Sequence, residues 1–557
     1  MAQWLVLGRH GSGGAGPADA APPVVAGADA EEPAWLAAGG ADPARPTADG
    51  ADPARPSASS ALPSFDRHVI WVGGAVFVVL MLLSGRYGFH RDELYFLDSA
   101  RHLQASYVDQ PVFTPLLAWV SLKLFGLSLV GLRLWPALAA WGTVILAGLT
   151  AREFGGGRRA QLLAAFAVAT MPAVFGAAHM LGTTPFDILA WGALALVIVR
   201  IGRTGDLRWW IPAGVILGLG AENKHLIGFF AIAIFLGALV SGARRMVLNW
   251  WFLAGALIAV TLEIPDLWWQ ASHGWATIAM TQSLNHNNGG AANIAVWIIG
   301  QLIVLGLVRV WGAVAGLRFL WKSGRPLWKA LVWAYALLFV TFMLTTGAQI
   351  YYVTGAYVFL LAAGAVALDG WLVARRSRMY RFVGGLTVSA LVFAPFLLPL
   401  LPIADVNVTS AVFPLQNQTV GWPQLVSTVR GVWFSLPAPQ RANAVIYAGD
   451  FGSAGAINEL GRGTGLPTAV SGHDTEWWWG PGNPHATTVV AVTLGPDSSS
   501  RSSNLSYLHR YFRNVRQAAT LSNPWGIKNE YYQGQVWICT GLRHPWAQLW
   551  PQLRHYD

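Results

Sequence analysis

Of 557 residues, 54% are hydrophobic and only 11% charged, which is too little charge to cover a soluble globule of that size and leaves a polytopic membrane protein as the expectation. The net charge of +10 fits loops beside anionic lipid as well as it fits nucleic acid, but no zinc-knuckle or basic-aromatic pattern favours the second, so no nucleic acid is expected. The single cysteine, Cys539, excludes an internal disulfide and any Cys-rich metal site.

Residues 1–65 are rich in Ala, Gly, Pro and Asp, and Ala41-Asp42-Pro43-Ala44-Arg45-Pro46 returns as Ala51-Asp52-Pro53-Ala54-Arg55-Pro56. That composition predicts a disordered tail. Met1–Leu7 is too short for the apolar core of a signal peptide, so the first membrane helix is expected to be retained.

From Val69 onward apolar segments recur at the ~20-residue length that a ~30 Å hydrocarbon core demands. Spans are predicted near 69–85, 128–149, 160–178, 186–202, 209–221, 226–241, 249–265, 293–315, 327–345, 351–372 and 382–400, about eleven in all. The 29 tryptophans suit the two interfaces of such a protein. Alternate loops carry the basic residues, among them Arg158 and Arg159, Arg244 and Arg245, and Arg375 and Arg376. The positive-inside rule makes that side cytoplasmic together with the N-terminus, in the cell membrane, and puts the ends near Asp92, Asp187, Lys224 and Tyr351 outside.

The first outer loop, 86–127, breaks this pattern with Arg86, Arg91, Arg101 and Lys123, which suggests an anionic ligand. It opens with Phe89-His90-Arg91-Asp92-Glu93-Leu94-Tyr95-Phe96-Leu97-Asp98. Adjacent carboxylates at membrane depth cost roughly 2.5–3.5 kcal/mol each on insertion scales, so a functional site is the default reading, beside the alternative of a carboxylate-capped helix N-terminus. Residues 92–104 mix apolar and polar positions as a helix lying in the interface would. Past Leu401 the chain turns polar and rich in Gly and Pro, with short apolar runs at 444–448, 488–492 and 535–539 and a helix pattern at 453–460. An extracytoplasmic α/β domain over 402–557 is expected, after a transmembrane domain over 66–401.

Several motifs resemble those of membrane glycosyltransferases of the GT-C fold, most closely family 39, which includes protein O-mannosyltransferases and the lipid A aminoarabinose transferase. They are Arg91-Asp92-Glu93-Leu94-Tyr95-Phe96, Tyr107-Val108-Asp109-Gln110-Pro111, Leu132-Arg133-Leu134-Trp135-Pro136-Ala137-Leu138, Thr183-Thr184-Pro185-Phe186-Asp187 and Asn223-Lys224-His225. Gln349-Ile350-Tyr351-Tyr352 is similar to a late Tyr-Tyr motif, without the Lys that usually precedes it. The resemblance implies an inverting transfer of a sugar from a polyprenyl-phosphate carrier to a protein, lipid or glycan acceptor on the outer face.

In that reading Asp92 is the base, Glu93 and Asp187 orient acceptor or sugar, and Arg91, Arg133, Lys224 and His225 face the donor phosphate. Tyr95, Asp109, Gln110, Tyr351, Tyr352 and His473 are candidate substrate contacts. Trp477-Trp478-Trp479 fits either a sugar platform or a loop docked on the membrane domain. No His/Asp/Glu cluster has convincing metal spacing, so neither a metal site nor a cofactor is expected. The alternative function is a multi-pass lipid-sugar or solute transporter, which would show repeated halves and ionisable residues near the midplane; a catalytically inert scaffold of the same fold is a third.

Overall fold

The computed structural model describes residues 62–287, 292–345, 348–496 and 506–556. The expected disordered tail lies outside them as far as residue 61. Four helices open the described chain: α1 (His68–Leu83), α2 (Arg91–Arg101), α3 (Phe113–Phe125) and α4 (Leu129–Glu153). There follow α5 (Arg158–Ala169), α6 (Pro172–Ala178), α7 (Thr183–Thr204), α8 (Trp210–Ala221), α9 (Leu226–Val240), the short α10 (Arg244–Val247), α11 (Trp250–Ser272) and α12 (Ala276–Asn287). The helical part closes with α13 (Ala292–Leu305), α14 (Leu307–Lys322), α15 (Pro326–Leu344), α16 (Thr354–Val373) and α17 (Arg376–Leu397).

A helix stands at each of the eleven expected places, but fewer are long and apolar enough to cross a membrane. Six of the described helices qualify, namely α4, α7, α11, α15, α16 and α17, and up to eight if each of two bent pairs is one span. The remaining expected spans are shorter apolar helices. The bends have local causes. Pro172 starts α6 without an N–H to give to α5, which bends the pair by 55°. Gly306 at φ +78° breaks α13 from α14 by 95°. Arg309 is buried at both breaks: its Nε donates to the Ala167 carbonyl at 2.8 Å, and another guanidinium N–H donates to Thr170 Oγ1 at 2.6 Å. Freed carbonyls in an apolar surround need such donors, so this deep cation is accounted for by the helix breaks.

Small residues set the tightest crossing. A Cβ on Gly364 of α16 would lie 1.9 Å from the Gly312 carbonyl oxygen of α14, and one on Gly316 would lie 2.1 Å from that of Leu360, a small-xxx-small contact. Gly364→Leu is therefore expected to lower thermal stability in detergent by roughly 1–3 kcal/mol or more. Gly370→Ala on the same helix, where a Cβ meets nothing within 4 Å, should leave the melting temperature unchanged and serves as the control.

After α17 the chain forms α18 (Val406–Ser410), α19 (Trp422–Ser435), α20 (Ala438–Ala442), strand β1 (Ala444–Ala448) and α21 (Phe451–Leu460). Strands β2 (Val470–Ser471), β3 (Thr488–Val492), β4 (Phe512–Thr520) and β5 (Gln535–Leu542) complete a sheet ordered β2-β1-β3-β5-β4. β1 runs parallel to β2 and β3, while β5 is antiparallel to β3 and β4. Side chains alternate between two covered faces. Ile446, Val490 and Ile538 pack under α19 and α21, whereas Val445, Val489 and Cys539 pack against Trp546 and Trp550. The sheet and the membrane helices belong to one compact unit, Leu62–Asp557.

Helix α2 joins the two parts. An amphipathic helix lying in the interface was the expectation, yet all nine residues from Asp92 to Ala100 are buried. Phe96 and Leu97 pack with Ala118, Leu132 and Phe186 of the helical bundle, while Leu94 packs with α19 and α21. A Cβ on Gly455 of α21 would lie 2.8 Å from the Leu94 carbonyl, so the two helices cross backbone to backbone. Polar pairs fix the register: Arg101 donates twice to Glu459 at 3.0 Å, and Asn458 Nδ2 donates to Asp98 Oδ2 at 2.6 Å.

Candidate active site

The N-terminus of α2 is closed by a capping box in which His90 Nδ1 accepts from the Asp92 N–H at 3.2 Å and Glu93 Oε2 accepts from the His90 N–H at 2.8 Å. Burial lowers the His90 pKa to about 4, so the ring is neutral at pH 7 and its Nδ1 is free to accept. The cap fixes the first turn, and with it the direction of Asp92.

Asp92 lines an open cleft. Its walls are mostly apolar, formed among others by Pro172, Ala173, Met180, Ile303, Val304 and Leu397, and Thr184, Pro185 and Tyr351 line it as well. Arg91 Nε lies 3.4 Å from Asp92 Oδ1, but that oxygen accepts no hydrogen bond. A carboxylate on the wall of a cleft can take a proton from a bound hydroxyl. Asp187, in the second turn of α7, likewise has a buried Oδ1 without a hydrogen-bond partner. Lys224 Nζ sits 4.9 Å from the Tyr351 ring centre and 5.3 Å from that of Tyr352. Burial lowers the Lys224 pKa and the Asp187 charge opposes the shift. The cation missing from the Tyr-Tyr motif is thus delivered from the turn between α8 and α9.

Residues 109–269 match the model of the dolichyl-phosphate-mannose-protein mannosyltransferase family. Crystal structures of ArnT from Cupriavidus metallidurans, one bound to undecaprenyl phosphate and one apo, match with TM-scores of 0.58 and 0.57. Each is 14% identical, and the match covers 85% of this chain and 98% and 97% of theirs. The arabinofuranosyltransferase AftD from Mycobacteria matches with a TM-score of 0.51 at 14% identity, over 86% of this chain and 40% of its own. This is a glycosyltransferase of the GT-C fold, similar to family 39. No curated protein matches the chain.

Other site residues of this GT-C transferase stand where their expected roles do not fit. Glu93 and Arg133 are buried against each other: Arg133 Nε and an η N–H donate to the two Glu93 oxygens at 3.0 and 2.9 Å. The remaining guanidinium N–H groups go to the carbonyls of Ser84, Arg86 and Gly88, and Glu93 also accepts from the Leu181 N–H at 2.9 Å. Every donor and acceptor is engaged, leaving Glu93 nothing to offer a sugar and Arg133 nothing to offer a phosphate. Their pair instead ties α2 to α4 and to the segment before α7. Arg91 is held by Glu530 and Asp92 and lies over the Phe451 ring, so it is not a free phosphate cation. Arg101, bound to Glu459, is likewise an internal partner.

Tyr95 does not line the cleft: its hydroxyl donates to Asp109 Oδ1 at 2.6 Å and lies 3.1 Å from Thr475 Oγ1. Burial raises the pKa of both Tyr95 and Asp109, and their hydrogen bond holds the loop after α2 in place. Gln110 is buried with both side-chain polar atoms unpartnered. His473 stacks between Phe451 and His555, and burial lowers its pKa well below the usual histidine range; it is a neutral core group. The tryptophan run is a docked loop. Trp479 stacks on His102 at 4.3 Å, Trp478 meets His273 edge-on at 4.8 Å, and Trp477 exchanges hydrogen bonds with Trp550.

Two features lay outside the sequence reading. Glu530 reaches Arg91 from more than 400 residues away, and no local pattern signals it. His225, expected at the phosphate, instead contacts Glu263 and Asp266. Among the described residues these three form one group with metal-ligand geometry, against the expectation of none. The Glu-x-x-Asp spacing at 263 and 266 was the available signal, masked by the apolar residues around it.

Proposed function

We propose that this glycosyltransferase moves a sugar from a polyprenyl-phosphate carrier to an acceptor hydroxyl in the cell envelope, on the outer face of the cytoplasmic membrane, with inversion. The reading rests chiefly on one observation: Asp92, with an unpartnered oxygen, opens onto a cleft whose walls are apolar enough for a lipid tail. The similar ArnT structure bound to undecaprenyl phosphate supports the donor class. In the proposed reaction Asp92 takes the acceptor proton as the acceptor oxygen attacks the anomeric carbon. The bond from that carbon to the phosphate oxygen breaks on the opposite face, and the lipid phosphate leaves with the electron pair.

Lys224, held over Tyr351 and Tyr352, neutralises charge developing on that phosphate. Asp187 orients the sugar or the acceptor. Glu93, Arg133 and Arg91 act as positioning residues that hold the first turn of α2, and residues 402–557 form the extracytoplasmic domain that covers it.

The test is to incubate the purified protein with a panel of labelled polyprenyl-phosphate sugars and envelope fractions. Label moving from one donor to an acceptor supports the reading; binding or flipping of a donor without transfer points to the transporter. With the working donor, Lys224→Ala is expected to raise the donor KM roughly 10- to 100-fold, the scale of a charged hydrogen bond of about 1.5–3 kcal/mol.

A further inference from the structure

Three ligand-type side chains meet beside the turn that carries Lys224. His225 precedes α9, while Glu263 and Asp266 stand three residues apart on α11 and so share a face. His225 Nε2 lies 3.0 Å from Asp266 Oδ2 and 3.2 Å from Glu263 Oε1, and the three ligand atoms all lie within 4.8 Å of one another. A single imidazole N–H cannot serve two carboxylates fully. As a ligand set the spacing is natural, because donors about 2.1 Å from a tetrahedral zinc stand about 3.4 Å apart.

A second observation points the same way. Glu222, in the same turn, is nine-tenths buried and neither of its carboxylate oxygens has a hydrogen-bond partner. The charges of Glu263 and Asp266 act on it. Glu263 Oε2 is also buried and unpartnered. Three carboxylates near one imidazole, next to apolar helices, concentrate negative charge where it is costly to hold. Asp266 is also oriented as a ligand is: its Oδ1 accepts from Ser106 Oγ at 2.5 Å, and Ser106 Oγ accepts from Gln270 Nε2 at 3.2 Å. The His225 side chain is about one-third exposed, which leaves an entry path.

We propose that His225, Glu263 and Asp266 bind a divalent metal ion of the zinc type, with Glu222 as a neighbouring acid that the ion neutralises. One nitrogen and two carboxylate oxygens suit zinc better than magnesium or calcium, which take oxygen sets. The ion would pin the turn 222–225 to α11 and so fix the position of Lys224. The site itself stands apart from the transferase reading, because its test reads metal.

Full-length protein in detergent is stripped with a chelator, equilibrated with Zn²⁺ and assayed for metal per chain by mass spectrometry. Co²⁺ is then substituted so that its absorption reports the ligand geometry. The expected result is about one metal per chain, with a four-coordinate cobalt spectrum. His225→Gln, Glu263→Gln and Asp266→Asn should each weaken binding by more than the roughly 10- to 100-fold that loss of an outer partner costs. If Asp266→Asn fails to fold, the partly exposed His225→Gln decides. Wild-type protein that is folded but binds no zinc overturns the proposal, and so does His225→Gln retaining wild-type stoichiometry and affinity.

Discussion

Asp92→Asn is expected to reduce sugar transfer by roughly 10²–10⁴-fold, the range that a positioned general base contributes, while leaving the protein folded and inserted. The amide has nearly the shape of the carboxylate but cannot take a proton. The cap of α2 does not use the Asp92 side chain, since His90 and Glu93 make it, and Oδ1 makes no hydrogen bond to lose. A normal melting temperature with transfer gone is therefore the expected pair of results. The assay is initial rate with labelled donor at saturating and subsaturating concentrations, and the loss should fall on kcat. Wild-type kcat in Asp92→Asn would remove the base from the proposed mechanism and leave the cleft as a binding feature only.

Arg133→Met should behave in the opposite way, with folding lost rather than chemistry. It strips a buried carboxylate of its cation and three backbone carbonyls of their donors. Breaking such a pair by removing one partner costs about 3–5 kcal/mol. Arg133→Lys should cost less, because it keeps the charge while giving up the fork. The check is thermal unfolding of both variants, with the donor KM measured on the folded fraction. KM is expected to stay at the wild-type value. A stable Arg133→Met with a raised donor KM would return Arg133 to the phosphate and displace the positioning role assigned to it.

These two residues divide what could and could not be read along the chain. Asp92 and its neighbours stood out because carboxylates beside an apolar run are costly, and the geometry places Asp92 on a cleft. Glu93 carried the same signal and has a different fate. Adjacent positions on a helix point about 100° apart, so one acid faces the cleft and the next faces α4, and local sequence cannot tell which. The cations of the first loop were misleading for a related reason. Arg91 and Arg101 looked surplus because their acids, Glu530 and Glu459, lie hundreds of residues further on.

Composition and apolar periodicity determined by themselves that this is a membrane protein of many helices, and the short apolar runs at 444–448, 488–492 and 535–539 marked three of the strands, the last of which continues to Leu542. Both follow from free energies that act locally: burial of apolar side chains, and satisfaction of the backbone within a helix or ladder. Tertiary structure alone decided which charges are spent on one another. It buried α2 on all sides, delivered Lys224 to Tyr351 and Tyr352, and gathered His225 with Glu263 and Asp266. Pairing energies depend on distance in space, and distance along the chain carries almost no information about it.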